Sequence, residues 1–154
     1  MKEAFAHKRL RLPEYDYSSR GAYFVTICTK ERRRILSRLS VEEFPFSPDP
    51  ALTEIGKIVD SSIARVPTHY PGVFVDYYVI MPNHVHLLLR FTEENSPKLG
   101  RIIQQLKGFV TKHCGQTIWQ DKYYDHVIRD ENDYLIKAQY IENNPAKWIE
   151  DEYY

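Results

Sequence analysis

The sequence offers little sulfur chemistry: two cysteines, Cys28 and Cys114, in 154 residues. One bridge is the most they allow, which excludes a disulfide framework, and without a Cys-x-x-Cys pair a structural zinc ribbon is excluded too. No apolar run approaches the roughly 18 residues of a membrane span, so no membrane partner is expected. The opening stretch, MKEAFAHKRLRLPEYDY, lacks the apolar region of a secretory signal. A reduced, cytoplasmic protein is the expectation. Repeats and low-complexity tracts are absent, as is a G-x-x-x-x-G-K loop for a nucleotide. Excess charge is lacking as well, with 21 Lys+Arg against 21 Asp+Glu. That balance counts against uniform binding of a polyanion, whose phosphates need basic side chains.

What is present suits a folded chain. An apolar content of 43% is ordinary for a globular protein and excludes intrinsic disorder. The length fits one domain, expected over 1–154. The zero net charge hides an asymmetry. Residues 1–40 hold ten Lys/Arg and four acids, and residues 121–154 hold four basic residues and nine acids. A basic head and an acidic tail favour a local anionic ligand.

Alternating and helical patterns lie between two loops, the Pro-rich 40–50 and residues 92–97. Strands are predicted over 21–29, 73–81, 84–91 and 123–128, the middle pair joined at the Pro82-Asn83 corner. Helices are predicted over 52–66, capped by Thr53 or Asp49, over 98–114, closed by Gly115, and over 131–144, capped by Asp130 and stopped by Pro145. The order β-α-β-β-α-β-α predicts an α+β, ferredoxin-like βαββαβ antiparallel sheet. The added C-terminal helix is expected on the other face or an edge.

His84 and His86 stand at i and i+2 on a predicted strand, so both imidazoles point to one face, close enough to converge on one metal ion. Val85, Leu87 and Leu89 then fill the core face. Tyr140 and Asn144 are four apart on the last helix and share a side. A tyrosine can act as a nucleophile and an asparagine oxygen can ligate a metal. The buried stripe of that helix is expected to be Tyr134, Ala138 and Ile141, with Tyr140 one position off it. Asn144 precedes Pro145, which biases it away from helical dihedrals.

The segments GAYFVTICTKERR, VIMPNHVHLLLRF, IWQDKYYDHVIRDENDY and YIENNPAKW, in that order and spacing, resemble the HUH class of single-strand DNA transposases (histidine, hydrophobic, histidine), in particular the REP-associated tyrosine transposases. The resemblance spans about residues 15 to 148. It implies a ferredoxin-like fold and a divalent metal, Mg²⁺ or Mn²⁺, held by His84, His86 and Asn144. It further implies Tyr140 as nucleophile, with Tyr134 as the fallback, and cleavage and rejoining of single-stranded DNA beside a hairpin through a 5′-phosphotyrosine. Relatives in the wider class often carry Gln where Asn144 stands. The resemblance leaves monomer and homodimer both open. The alternative function is a non-catalytic single-stranded nucleic-acid-binding protein of the same fold, a domesticated or decayed transposase.

For DNA contacts, the basic head supplies Arg9, Arg11, Arg20, Lys30, Arg32, Arg33 and Arg34 as phosphate-binding candidates. Tyr15, Tyr17 and Tyr23 interleave with them as candidate stacking platforms for unpaired bases. Trp119 and Trp148 are expected in the packing. Residues 151–154, DEYY, are expected either as a free end or as a gate over the site.

Overall fold

The structure, a computed structural model, describes residues 21–39, 50–94 and 96–154. In chain order these form β1 (Gly21–Cys28), β2 (Ser37–Arg38), β3 (Ala51–Leu52), α1 (Glu54–Ala64), α2 (Val66–His69), β4 (Val73–Ile80), β5 (His84–Phe91), α3 (Leu99–Cys114), β6 (Tyr124–Val127) and α4 (Glu131–Asn143). The main sheet is antiparallel in the order β4-β5-β1-β6. Leaving out the short β2–β3 ladder, this is the expected α+β arrangement of β-α-β-β-α-β with one helix added. No described helix is long and apolar enough to cross a membrane.

The sheet has a core on each face. Tyr23, Val25, Ile27, Val85, Leu87 and Leu89 pack against the apolar sides of α1, α2 and α3. Phe24, Cys28, Val79 and Leu88 pack against Ala138 and Ile141 of α4 and against Trp148 and Tyr153 beyond it. Period-two alternation of side chains along β1 and β5 makes this division. On β4 the alternation shifts. Val75 pairs with Leu89 and Tyr77 with Leu88, so Asp76 is the extra residue of a β-bulge. Before the bulge Val73 and Val75 belong to the α1–α3 side, and after it Tyr77 and Val79 belong to the α4 side. One inserted residue therefore exchanges the two faces of the strand.

Two predicted boundaries move. Ala51 and Leu52 pair with Ser37 and Arg38 instead of opening the helix, which starts after Thr53, whose hydroxyl accepts from the Gly56 N–H at 3.0 Å. At the other end the helix breaks at Arg65 and resumes as α2. Pro67 explains the break: it has no N–H to give and its ring crowds the carbonyl four residues back, whereas it fits the first turn of a new helix. Asp130 caps α4, accepting from the Asp133 N–H at 2.8 Å, and Gly115 closes α3 in the left-handed region with φ 78°.

Gly56 is fixed by close approach. A Cβ there would lie 2.0 Å from the Leu36 carbonyl oxygen and 3.3 Å from the Leu52 Cβ. That carbonyl already accepts from the Thr53 N–H at 3.1 Å, so it has no freedom to retreat. Gly56→Ala gains helix propensity of at most about 1 kcal/mol, while overpacking costs about 1–3 kcal/mol or more. The expected result is a lower urea midpoint with an unchanged slope.

Candidate functional site

His84 and His86 lie on the α4 face of β5, with 0% and 1% of their surfaces exposed, and their rings stand 4.6 Å apart between centroids. Each ring is anchored through Nδ1. His84 Nδ1 is 2.8 Å from the Asn83 side-chain oxygen. The Asn83 amide nitrogen donates to the Tyr153 carbonyl at 2.6 Å and to the Arg32 carbonyl at 3.4 Å. That fixes the amide so its oxygen accepts, the proton sits on His84 Nδ1, and the lone pair sits on Nε2. His86 Nδ1 is 2.9 Å from the Thr26 hydroxyl, and Thr26 is its partner in the β1–β5 register. Such outer hydrogen bonds orient an imidazole toward a metal.

The other nitrogens are unsatisfied. His84 Nε2, His86 Nε2 and Asn144 Oδ1 are buried and make no well-directed hydrogen bond. Asn144 Nδ2 donates to Asp151 Oδ2 at 2.9 Å, which leaves Oδ1 as the free end of the amide. Asp151 Oδ2 in turn lies 3.8 Å from His84 Nε2. One ligand atom each of His84, His86 and Asp151 falls within 4.8 Å of the others. Burial brings the His84 imidazole down to about 3, Asn144 opposing this and the Arg32 charge adding to it. Burial and the neighbouring His84 hold His86 well below its ordinary value. Both rings are therefore neutral near pH 7, the form that ligates metal.

Three buried polar atoms without a well-directed hydrogen bond carry a desolvation cost that a cation would relieve. Two imidazoles, an amide oxygen and a carboxylate suit a divalent ion such as Mg²⁺ or Mn²⁺. The residues present thus fit the group.

Tyr140 projects from α4 onto the same place. Its ring centroid is 5.2 Å from that of His86 and 5.9 Å from that of Phe24, and the residue is half-buried. Burial, then the carboxylates of Asp151 and Glu152, push its phenol above the ordinary value, and Asn144 pulls the other way. Asn144 is in the right-handed helical region with φ −58° and ψ −46°, contrary to the bias expected before Pro145. A tight run over Pro145–Glu150 continues the chain there, and the i, i+4 relation to Tyr140 survives. Tyr134 is elsewhere: its hydroxyl donates to Asp76 Oδ2 at 2.5 Å, where Arg90 also binds at 2.8 Å.

Residues 151–154 form a cover. The Tyr153 ring packs 4.4 Å from that of His84 and is 5% exposed. Arg32 lies 5.4 Å from the Tyr153 ring centre, and Arg34 lies over Trp148 and Tyr154 at 5.1 and 4.5 Å. Lys30, Arg32, Arg33 and Arg34 are exposed. Arg32 stands close enough to His84 for its charge to be felt there. Arg9, Arg11, Arg20, Tyr15 and Tyr17, with the Asp49 cap, lie outside the described residues. Tyr23 is corrected: it is fully buried against Phe91, 5.0 Å between ring centres, and offers no face to a base. Its place on the inward side of β1 decides this. Trp119 and Trp148 are buried as expected.

Sequence reasoning missed Asn83, Thr26 and Asp151. Asn83 and Thr26 could have been found from a correct strand register. Asp151 left no local signal. It also missed Lys137, buried at 2%, whose Nζ lies 2.9 Å from Asp133 Oδ1. His126 Nε2 lies 2.8 Å from Asp133 Oδ2. This polar stitch holds the first half of α4 to β6 and so places Tyr140. Burial works to raise the Asp133 carboxyl, but Lys137, the Arg129 N–H and His126 outweigh it and bring it down to about 2. A carboxyl lowered on folding stabilises above its ordinary value, and that stability is lost as pH falls through its folded value. The stabilisation should fade between pH 3.8 and about 2. Urea midpoints of Asp133→Asn are expected to fall less steeply than wild type across that window.

The site is thus an antiparallel sheet that carries a His-x-His pair, backed by a helix with a tyrosine. No family model matches the sequence. An uncharacterized protein of Haemophilus influenzae (strain ATCC 51907 / DSM 11121 / KW20 / Rd) is 31% identical over 174 residues, covering 96% of this chain and 93% of the relative. The REP-associated tyrosine transposase of Escherichia coli (strain K12) is 26% identical over 136 residues, covering 86% of this chain and 72% of the relative. The solved structure of a REP-associated tyrosine transposase bound to a REP hairpin shares the fold, with TM-score 0.69 and 24% identity over 90% of this chain and 73% of that one. The chain is thus similar in sequence and in fold to REP-associated tyrosine transposases.

Proposed function

We infer that the protein cuts and rejoins single-stranded DNA beside hairpins by metal-assisted transesterification, with Tyr140 as nucleophile. One observation carries the reading: His84 Nε2, His86 Nε2 and Asn144 Oδ1 are buried without a well-directed hydrogen bond, and the Tyr140 ring stands 5.2 Å from that of His86. Nothing in packing rewards that arrangement, since each such atom costs about 1–3 kcal/mol. The four ligands would be these three with the Asp151 carboxylate. A bound Mg²⁺ or Mn²⁺ would neutralise charge on a non-bridging oxygen of the scissile phosphate.

This chain's own residues do the rest. The Tyr140 oxygen attacks phosphorus in line, the bond from phosphorus to the 3′ oxygen breaks, and the phenolic proton passes to solvent or to the leaving 3′ oxygen. The products are a 5′-phosphotyrosine and a free 3′-hydroxyl. Because the phosphodiester energy is kept in the covalent link, a second 3′-hydroxyl can attack it and release the tyrosine. Asn144 lies beside both His84 and Tyr140 and orients the phenol. Lys30, Arg32, Arg33 and Arg34 stand at the rim for backbone phosphates. Arg9, Arg11 and Arg20 are assigned the same role from sequence. The whole of 1–154 would act as one domain, as a monomer or a homodimer.

The test is incubation of the protein with end-labelled single-stranded DNA carrying a hairpin, with and without Mn²⁺, followed by a denaturing gel. A metal-dependent, protease-sensitive adduct supports the reading. Tight binding with no adduct under any divalent ion favours a non-cutting DNA-binding protein.

A further inference from the structure

The backbone is strained where the chain leaves β1. Among the described residues, the non-glycine positions with positive φ are Glu31 at 56° and Arg32 at 53°, side by side. Neither is asparagine or aspartate, the side chains that enter the left-handed region at least cost. Such strain persists where the surroundings over-determine it, and it gathers at ligand clamps and active sites.

The turn is pinned on several sides. The Lys30 N–H donates to the Ile118 carbonyl at 2.8 Å and the Arg32 N–H to the Thr29 carbonyl at 3.2 Å. The Thr29 hydroxyl lies 2.8 Å from the Arg33 carbonyl oxygen and 3.1 Å from that of Asn83. The Arg32 carbonyl accepts from the Asn83 amide, the same amide whose oxygen holds His84 Nδ1. One residue therefore separates the strained backbone from a candidate metal ligand. The Arg32 side chain runs to the same place. Its guanidinium carbon is 5.4 Å from the centre of the Tyr153 ring, and that ring packs 4.4 Å from His84.

The guanidinium is underused there. It makes no ion pair among the described residues. Nη1 donates to the Glu152 carbonyl at 3.2 Å, a neutral acceptor that leaves most of the fork's donors over. The neighbouring cations differ. Arg34 is spent on the rings of Trp148 and Tyr154, and Lys30 and Arg33 follow no strained link to a histidine. A planar fork matches two oxygens of one phosphate and keeps its charge at any working pH.

We propose that Arg32 is a catalytic residue, which binds the scissile phosphate itself and stabilises the charge that grows on its non-bridging oxygens as Tyr140 attacks. It deepens the strand-transfer reading and rests on it for the reaction, though not for the phosphate site. In the step, the bond from the Tyr140 oxygen to phosphorus forms. The bond from phosphorus to the 3′ oxygen breaks with its electron pair left on that oxygen, and the phenolic proton goes to solvent or to the same oxygen. Arg32 gives up no proton. Its N–H groups are already in place when the charge develops, which is what makes such donors effective. The strained turn supplies that placement, where an ordinary surface arginine would have to be ordered first.

Two readouts test this. One is the single-turnover rate of adduct formation on unpaired DNA with Mn²⁺, at saturating strand. The other is the affinity of inorganic phosphate for the Mn²⁺-loaded protein, read from ³¹P relaxation. Arg32→Ala and Arg32→Lys are compared with wild type and with Lys57→Ala, which removes one charge from α1 where Lys57 meets Glu54 at 3.3 Å. Lys57→Ala should match wild type in both. Arg32→Ala is expected to lose about a hundredfold in saturated rate and about tenfold in phosphate affinity. Its affinity for the strand, which rests on many phosphates, should fall by about threefold or less. Added guanidinium ion should restore part of its rate and leave wild type unchanged. Arg32→Lys, with the charge and without the fork, should fall between.

A rate and a phosphate affinity in Arg32→Ala equal to those of Lys57→Ala overturn the proposal. A rate deficit that disappears at saturating strand makes Arg32 a rim charge and overturns it too. So does a slow Arg32→Ala with normal phosphate affinity and no response to guanidinium, which marks the turn as a support for His84. A wild type that forms no adduct, yet loses phosphate affinity on Arg32→Ala, refutes strand transfer and leaves Arg32 as the ligand of a phosphate. A wild type that neither forms adduct nor binds phosphate overturns both.

Discussion

Tyr140→Phe is expected to abolish the covalent adduct entirely. The ring packs edge-on to His86 and Phe24, at 5.2 and 5.9 Å, and the substitution keeps all of that contact. Only the oxygen that would bond phosphorus is lost. Removing one half-buried hydroxyl changes stability by about 1 kcal/mol, so the variant should fold and bind DNA as wild type does. Tyr134→Phe is the matched control on the same helix. Its hydroxyl is committed to Asp76, the residue stands six positions before Tyr140 on α4, and its adduct level should equal that of wild type. The denaturing gel reads both. Adduct retained in Tyr140→Phe and lost in Tyr134→Phe would move the nucleophile to the earlier turn.

The second large effect concerns the histidines. Wild type is expected to melt at a higher temperature when Mn²⁺ is added. At a hundredfold excess over Kd, linkage gives about 2.7 kcal/mol, or roughly 5–10 °C for a chain of this size. His86→Phe should lose that shift and all metal-dependent cleavage. In metal-free buffer the same variant should melt close to wild type. The change removes the unpartnered Nε2, worth about 1–3 kcal/mol, and also the Nδ1 that pairs with the buried Thr26 hydroxyl at 2.9 Å, so the two effects offset. Differential scanning calorimetry with and without Mn²⁺ measures both quantities. A severe loss of metal-free stability with the Mn²⁺ shift intact would make His86 a packing residue.

Much of this was legible before any fold was known. Period-two alternation places Val85, Leu87 and Leu89 on one face of β5 and His84 and His86 on the other, and the observed cores divide in that way. Pro145, Asp130 and Gly115 mark helix ends by local chemistry, which acts within one turn and needs no tertiary partner. The pairing of Tyr140 with Asn144 follows from helical periodicity alone.

Other features depend on contacts far apart in the chain. Asp151 reaches the histidines because the segment after α4 folds back over β5, across 67 positions from His84 to Asp151. Thr26 anchors His86 through a β1–β5 pairing that no local pattern specifies, and Asn83, legible as the hairpin corner, is aimed at His84 only by its bonds to the Tyr153 and Arg32 carbonyls. Tyr23 shows the reverse error: a tyrosine near basic residues reads as exposed, and strand parity buries it. The bulge at Asp76 reverses which β4 residues face α4, an outcome of one residue's misregister with β5. The sequence by itself determined the element order, the paired histidines and the tyrosine helix, because these rest on spacing along the chain. The orphaned buried atoms, the Asp151 approach and the place of Arg32 beside His84 were decided only in the tertiary structure, because each needs side chains from separate elements to meet.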